Sequence, residues 1–189
     1  MPPKPKIYKV TLVGDIGVGK STIINNLVNN KNNSVPNSTI GVSCSHIKCK
    51  YQNNNFILSV WDTAGQERYH SMVPLCVRDS SLVIMVYDSR NTESLKNIYS
   101  YWYPFVKEHS PENVIYYLVE HKVDTLNSID EYQPSEYNGV SIKNFKTTIY
   151  DDRSITDLFD HIQKDVITIN GCLDPPSTYF NFNSGEKCC

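Results

Sequence analysis

A glycine-rich segment near the N-terminus constrains the fold of this chain more than any other feature. It reads GDIGVGKS from Gly14 to Ser21 and fits the pattern G-x-x-x-x-G-K-S. The β-branched run before it predicts a strand, and apolar residues at helical spacing follow it. Between a strand and a helix, such a loop can curl its backbone N–H groups around phosphate oxygens, close to the positive end of the helix dipole. The segment therefore predicts a nucleotide phosphate site.

Two side chains of this loop can bind the nucleotide or its metal ion directly. Lys20 can bring an ammonium group to the outer phosphates, and the Ser21 hydroxyl can bind Mg²⁺. The candidate phosphate-binding residues are all eight of the loop: Gly14, Asp15, Ile16, Gly17, Val18, Gly19, Lys20 and Ser21.

Strand and helix patterns alternate along the rest of the chain. Two strand-like runs flank a polar turn at 52–55 and predict a hairpin, and the runs SLVIMVYD and NVIYYLVE resemble strands covered on both faces. One helix is predicted after Asn91, kinked or shortened at Pro104, and another begins at Ser154 and stops before Gly171. These patterns predict an α/β fold with a mostly parallel sheet of about six strands, helices on both faces, and ligands at the carboxyl ends of the strands.

A single domain is predicted over residues 1–170, since 189 residues that are 40% hydrophobic suit one core. Paired prolines and the lack of a hydrophobic period predict a flexible tail over 171–189. The net charge of −2 gives no general basic field for nucleic acid or an anionic membrane. With no signal peptide and no long apolar run in the sequence, we expect the protein to be made in the cytosol.

The six cysteines favour reduced thiols over a disulfide framework, because four are scattered and two close the chain. Cys44, His46 and Cys49 stand close enough together to suggest a metal site. No second ligand pair follows at a suitable spacing, and the segment alternates like a strand. Ordinary strand residues are therefore favoured there.

A second motif, WDTAGQERY, follows a strand-like run at residues 61–69. Asp62 would lie across from Ser21 in the sheet and could hold a metal ion through its waters. Gly65 could offer an N–H to a terminal phosphate, and Gln66 could orient an attacking water. Gln66 is therefore the candidate catalytic residue.

Together these segments resemble the small GTPases of the Ras superfamily, and within it the Rab family. The resemblance covers residues 6–170 and the last two residues; TIGV at 39–42 is similar to the first switch, WDTAGQERY to the second, and MVYDSRNTESL to the strand and helix that follow. It implies a P-loop NTPase fold, GTP and GDP as bound nucleotides, Mg²⁺ as cofactor, and hydrolysis of GTP to GDP. The implied Mg²⁺ ligands are Ser21, Thr39 and Asp62. Thr39 would also touch the terminal phosphate, so that loss of that phosphate releases both switches.

The resemblance also places the guanine-binding residues. Rab proteins read guanine with an N-K-x-D loop, and this chain has His121-Lys122-Val123-Asp124. Asp124 would accept two hydrogen bonds from the guanine edge, Lys122 would pack its stem along the base, and His121 could donate one N–H. The family's S-A-K loop aligns with Thr148-Ile149-Tyr150, where the backbone N–H of Ile149 could contact the base.

Two departures from the family pattern change the expected rates. The aromatic ring that packs on the base aligns with Asn32, and a lost stack costs about 1–3 kcal/mol, which predicts faster nucleotide exchange than in a standard Rab. Ile16 replaces a small residue beside the terminal phosphate and could crowd Gln66, its water or an arginine finger. We therefore expect slow hydrolysis and a poor response to an activating protein.

The last two residues, Cys188 and Cys189, resemble the doubly geranylgeranylated ending of Rab proteins. One lipid chain anchors only marginally, and Lys187 is the one nearby positive charge, so the anchor would rest mostly on two lipids. This implies attachment to the cytoplasmic face of a membrane, with a cytosolic pool. The implied partners are an exchange factor, a GTPase-activating protein, escort and GDI-type chaperones, and effectors of vesicle traffic.

Two other functions remain open on the sequence alone. A divergent scaffold that binds GTP or GDP with negligible turnover is favoured by Ile16 and the altered base loop, whereas Gln66 and Thr39 favour the enzyme. A P-loop kinase that uses ATP would need a lid and an acceptor site, and the sequence shows neither.

Overall fold

Seven strands form one sheet in the order β2-β3-β1-β4-β5-β7-β6, counted over the part of the chain that the structure describes. This computed structural model describes residues 5–29, 41–63, 71–124, 136–137 and 139–170. The strands are β1 (Lys6–Val13), β2 (Val42–Tyr51), β3 (Asn54–Thr63), β4 (Leu82–Asp88), β5 (Ile115–His121), β6 (Glu136–Tyr137) and β7 (Val140–Thr147). The helices are α1 (Lys20–Asn29), α2 (Val73–Val77), α3 (Thr92–Asn97), α4 (Tyr103–His109) and α5 (Asp152–Asn170), with a π-helical turn (Ile98–Trp102) between α3 and α4.

The sheet is mostly parallel, which confirms the predicted fold class. β1 lies in the interior of the sheet and pairs in parallel with β3 and β4, while β5 and β7 extend it on one side. The predicted hairpin is present as β2 and β3, which pair antiparallel, and β6 is a two-residue strand beyond the six expected. The carboxyl ends of β1, β3, β4, β5 and β7 therefore lie along one edge.

Both faces of the central strands are buried, as their continuous apolar runs predict. Successive residues of β4 alternate between the two hydrophobic cores, with Ile84 on the side of α1 and α5 and Met85 on the side of α3 and α4. Every residue of β4 and β5 is buried. This packing fixes the strand ends that carry the site.

The long helix before the tail begins earlier than predicted. α5 starts at Asp152, and Oδ1 of Asp151 accepts from the N–H of Arg153 at 3.0 Å, which is the capping contact. Ser154 was predicted to begin this helix, but its hydroxyl instead donates to the carbonyl oxygens of Thr148 and Asp151. The prediction was wrong because Ser154 ties the helix to the preceding loop.

Pro104 was predicted to kink or shorten the helix, and the structure instead has a π-turn just ahead of it. A proline has no N–H to donate and crowds the previous turn. The N–H of Tyr103 reaches back five residues to the carbonyl oxygen of Ile98, and α4 then continues to His109. The helix is widened ahead of Pro104 and not ended by it.

The structure also bears on the predictions for a metal site at the cysteines and for a membrane span. Cys44, His46 and Cys49 lie within β2, and no cluster of three metal-ligating side chains occurs among the described residues. Within those residues no helix is long and apolar enough to span a bilayer. The tail at 171–189 lies outside the described residues.

Candidate functional site: a nucleotide pocket at the carboxyl edge of the sheet

The phosphate loop, residues 14–21, joins β1 to α1 and packs against two neighbouring strands. Gly14 has φ +141°, and a Cβ there would lie 2.2 Å from the carbonyl oxygen of Val86 in β4. Gly19 has φ +108°, and a Cβ there would lie 2.3 Å from Cδ2 of His121. Both backbone conformations and both contacts exclude a larger residue. The two glycines therefore allow the loop to turn tightly against β4 and β5.

Lys20, the first residue of α1, folds back over this loop. Its Nζ donates to the carbonyl oxygens of Gly14 and Asp15, both at 2.8 Å, and the residue is 6% exposed. Burial lowers the pKa of Lys20 to about 8, although the nearby carboxylates of Asp62 and Asp15 oppose that shift. The buried ammonium is thus held at the loop, where phosphate oxygens would compensate its lost hydration.

Ser21 and Asp62 meet as the sequence predicts. In the parallel pairing of β1 with β3, Leu12 lies opposite Asp62, which places the carboxylate beside the start of α1. The Ser21 hydroxyl donates to Oδ2 of Asp62, a buried residue. A hydroxyl and a carboxylate are the hard oxygen ligands that Mg²⁺ prefers, usually with several waters retained. These two residues therefore fit Mg²⁺ beside the predicted phosphate site.

An ion cluster at the ends of β4 and β5 holds the loop from another side. Nζ of Lys122 donates to the carbonyl oxygen of Gly17 and to Oδ2 of Asp88, both at 2.6 Å. Arg90 binds the same carboxylate through Nε at 3.0 Å and Nη2 at 2.9 Å. Burial alone would raise the pKa of Asp88, but the hydrogen bonds from Arg90 and Lys122 outweigh it and hold that pKa well below its ordinary value. Asp88 therefore stays ionised and fixes Lys122 beside the loop.

The backbone of Lys122 is strained. Its φ of 66° lies in the left-handed region, which costs a residue with a side chain about 1–2 kcal/mol. The short charged bonds to Gly17 and Asp88 offset this cost. Packing of the Lys122 stem along a base stays a prediction.

His121 ends β5 and lies beneath the phosphate loop, 2% exposed. Its Nδ1 is 2.9 Å from Oγ1 of Thr147 at the end of β7, and its ring edge contacts Gly19. Burial, together with the charge of Lys122, lowers the pKa of His121 to about 4, so the ring is neutral at pH 7. The imidazole thus bridges the phosphate loop and β7; its donation to guanine stays a prediction.

Asp124 and Thr148 join the two predicted base loops. Oγ1 of Thr148 donates to Oδ1 of Asp124 at 2.5 Å and accepts from the N–H of Tyr150 at 3.3 Å. The N–H of Thr148 donates in turn to the hydroxyl of Ser154 in α5 at 3.1 Å. Ile149, the expected backbone donor to guanine, lies in the same loop and is partly exposed. The structure therefore orients the aspartate predicted to read the base.

Asp15 uses its side chain away from the phosphates. Its two carboxylate oxygens accept from Nδ2 of Asn97 and Nε1 of Trp102, each at 2.7 Å. Asp15 belongs to the predicted phosphate set, and a carboxylate would repel phosphate. Its backbone is thus the part suited to the predicted role.

Sequence reasoning missed several residues of this site, among them Asp88, Arg90, Asn97, Trp102 and Thr147. Asp88 carried a usable signal, because a carboxylate directly after a buried parallel strand lies where ligands bind. Asn97 and Trp102 follow a helical pattern that indicates only core packing, and they are 82 and 87 residues from Asp15 in sequence.

Several predicted residues lie outside the described part of the chain. These are Asn32, Thr39, Gly65, Gln66, Cys188 and Cys189. Their roles stay predictions from the resemblance.

Comparison with known proteins identifies the family. The model of the Ras family matches residues 9–168. Ras-related protein Rab-22A of Homo sapiens is 31% identical over 95% of this chain and 89% of its own length. Ras-related protein Rab-31 of Rattus norvegicus is 33% identical over 94% and 88%, and GTP-binding protein ypt3 of Schizosaccharomyces pombe is 30% identical over 86% and 77%. With a phosphate loop, a Ser21–Asp62 pair and a base-loop aspartate at one edge of its sheet, this chain belongs to the Ras family as a divergent Rab-type small GTPase.

Proposed function

We propose that this chain is a nucleotide-dependent switch that binds GTP and GDP in turn, hydrolyses GTP, and recruits effectors in vesicle traffic. The observation that carries the proposal is the convergence of three parts at one sheet edge. Lys20 lies at the phosphate loop, Ser21 with Asp62 offers a Mg²⁺ site, and Asp124 is oriented by Thr148. These are the groups needed for the phosphates, the metal and the base.

In the proposed reaction water attacks the terminal phosphorus of GTP, and the bond to the bridging oxygen breaks to leave GDP and phosphate. The residues that would hold Mg²⁺ are Ser21, Thr39 and Asp62, and the ion would supply positive charge to the phosphates. Lys20 contributes its ammonium to the same oxygens, and Gln66 orients the water. The protein thus acts mainly by positioning and by charge.

Slow hydrolysis is proposed from Ile16, which is 57% exposed on the phosphate loop. Because its branched side chain is not packed into the core, it is available to crowd the attacking water. We expect Ile16→Ser to accelerate single-turnover GTP cleavage by about tenfold or more, because correct positioning of an attacking group changes a reaction rate by at least that factor. Ile47→Ser, the same replacement at a partly buried position of β2, is the control for the change of residue type. Equal rates for Ile16→Ser and the parent protein would remove Ile16 as the cause.

Fast nucleotide exchange is proposed from the residues that would contact the guanine base. Asn32 supplies no aromatic stack, and His121 is engaged with Thr147 and Gly19 beneath the loop. GDP release should therefore be faster than in relatives that have the family residues. Replacing His121 with asparagine should slow the release, and very slow release from the parent protein would contradict the proposal.

Membrane attachment is proposed through geranylgeranyl groups on Cys188 and Cys189. Each buried methylene contributes about 0.8 kcal/mol, so two chains anchor far more firmly than one. After enzymatic prenylation the full chain should sediment with anionic vesicles, and a chain with both cysteines changed to serine should stay in the supernatant. Sedimentation of the serine variant would show that the lipid groups are not needed.

One set of measurements tests the central proposal. The full chain is purified, the copurifying nucleotide is identified, and release and single-turnover hydrolysis are followed with Mg²⁺ and after chelation. We expect guanine nucleotide, faster release after chelation, and measurable hydrolysis that Gln66→Leu abolishes. Binding without hydrolysis would support the scaffold, and copurifying ATP would support a kinase.

A further inference from the structure

The π-turn between α3 and α4 faces the phosphate loop. In an α-helix, residues five apart in sequence lie about 140° apart around the axis, whereas a turn with i→i+5 bonding brings them toward one face. Asn97 and Trp102 are five apart, and both reach Asp15. The widened turn therefore gathers two donors at one carboxylate.

The hydrogen bonds from Asn97 and Trp102 to the Asp15 carboxylate have the same length. Nδ2 of Asn97 donates to Oδ2 of Asp15 and Nε1 of Trp102 donates to Oδ1, each at 2.7 Å. Trp102 is 1% exposed within the core formed by α3, α4 and β4, so its indole has little freedom to move. The carboxylate is thus fixed by two uncharged N–H groups of a rigid element.

Asp15 also takes part in holding Lys20. Its carbonyl oxygen accepts from Nζ of Lys20 at 2.8 Å, alongside the carbonyl oxygen of Gly14. The orientation of the Asp15 peptide therefore sets where the ammonium lies. A carboxylate in a loop built for phosphates is repelled more strongly as the ligand carries more charge.

We propose that Asn97 and Trp102 are positioning residues for nucleotide binding, which act by holding the Asp15 carboxylate against the π-turn and so fixing the loop that receives the outer phosphates. The inference rests on the proposed function and extends it to residues that do not touch the nucleotide. It predicts that loss of either donor weakens ligands with a β-phosphate more than ligands without one.

The first test compares GDP with GMP. Trp102→Phe keeps an aromatic ring but removes the N–H that binds Asp15. We expect the ratio of GDP affinity to GMP affinity to fall by roughly tenfold, because hydrogen bonds to charged groups are among the stronger ones. The matched control is Tyr103→Phe, which removes a hydroxyl that donates to the carbonyl oxygen of Tyr137 at 3.1 Å. The control should leave the ratio unchanged even if it lowers stability.

The second test shows whether Trp102 acts through Asp15. Asp15→Asn and Trp102→Phe are combined, and the effects on the GDP to GMP ratio are compared. Residues that act as one clamp should give a double variant whose ratio is close to that of the worse single variant. Full multiplication of the two single effects would overturn the inference.

The third test needs no change at the clamp. The chain has two tryptophans, so Trp61→Phe leaves Trp102 as the sole reporter. Its emission should change when GDP binds to nucleotide-free protein and change much less with GMP. A parent protein that binds no guanine nucleotide would refute the proposed function, whereas GDP binding with an unchanged affinity ratio in Trp102→Phe and equal emission changes would refute the inference alone.

Discussion

Acidification from pH 7 to pH 5 should destabilise this protein through His121. The folded-state pKa of about 4 lies below the ordinary value of 6.5, first because the ring is buried and then because of the charge of Lys122. Asp88, Asp124 and the backbone of Thr147 also face the ring and oppose the shift. Between those two pKa values the unfolded chain binds more protons, so the stabilisation is complete above about pH 6.5 and is lost as the pH falls toward 4.

The size of the effect follows from the shift. Integration from pH 7 to pH 5 with pKa values of 6.5 and about 4 gives a loss of about 2 kcal/mol in the free energy of unfolding. The pKa of Asp88 is also lowered, but its ordinary value is 3.8, so the stabilisation that it contributes is lost only below about pH 4. The chosen interval therefore isolates the histidine.

Urea unfolding at pH 7, 6 and 5 measures this loss, with GDP held at two saturating concentrations so that ligand linkage can be subtracted. His121→Asn removes the titrating ring, and His46→Asn, at an exposed position of β2, is the matched control. The parent protein and the control should both lose about 2 kcal/mol more than His121→Asn. An equal loss in all three proteins would refute the reasoning.

Two further changes test the loop geometry. Gly14→Ala forces a Cβ to within 2.2 Å of the Val86 oxygen, so we expect the free energy of unfolding, measured with heat or urea, to fall by more than about 4 kcal/mol. The control is Gly139→Ala, which has φ +75° and no atom within 4 Å of the new Cβ and should lower the free energy of unfolding by only about 1–2 kcal/mol. Similar losses in the two variants would contradict the contact between Gly14 and Val86. Thr148→Val removes the donor to Asp124 and should speed GDP release by roughly tenfold, whereas Thr148→Ser should not. Equal release from the valine and serine variants would show that the hydroxyl is not needed.

The fold could be predicted where local pattern and tertiary environment agree. The apolar runs of β4 and β5 indicated strands buried on both faces, and the GDIGVGKS segment placed the phosphate loop between β1 and α1. The start of α5 was misplaced, since Ser154 has the composition of a capping residue but bonds to Thr148. The sequence around Ser154 does not show that Thr148 competes for its hydroxyl.

The site was predictable only in part for a related reason. Motif spacing located Ser21 and Asp62, because parallel pairing brings strand ends together. It did not reveal that His121 would be buried against Gly19, or that the π-turn would aim Trp102 at Asp15. Those contacts depend on helix width and on packing between distant segments, which residue types alone do not encode.

The interior position of β1 in the sheet has a consequence for how the chain is made. Lys6 pairs with Phe56 and Val10 with Leu82, so the first strand to be synthesised cannot be enclosed until β3 and β4 have followed. His121 and Thr147 then complete the support beneath the loop. At about 5–20 residues per second, the apolar β1 segment waits several seconds for its neighbours during translation. Nucleotide binding can therefore begin only late in synthesis, and premature termination before β7 would leave His121 beneath the phosphate loop without its Thr147 partner.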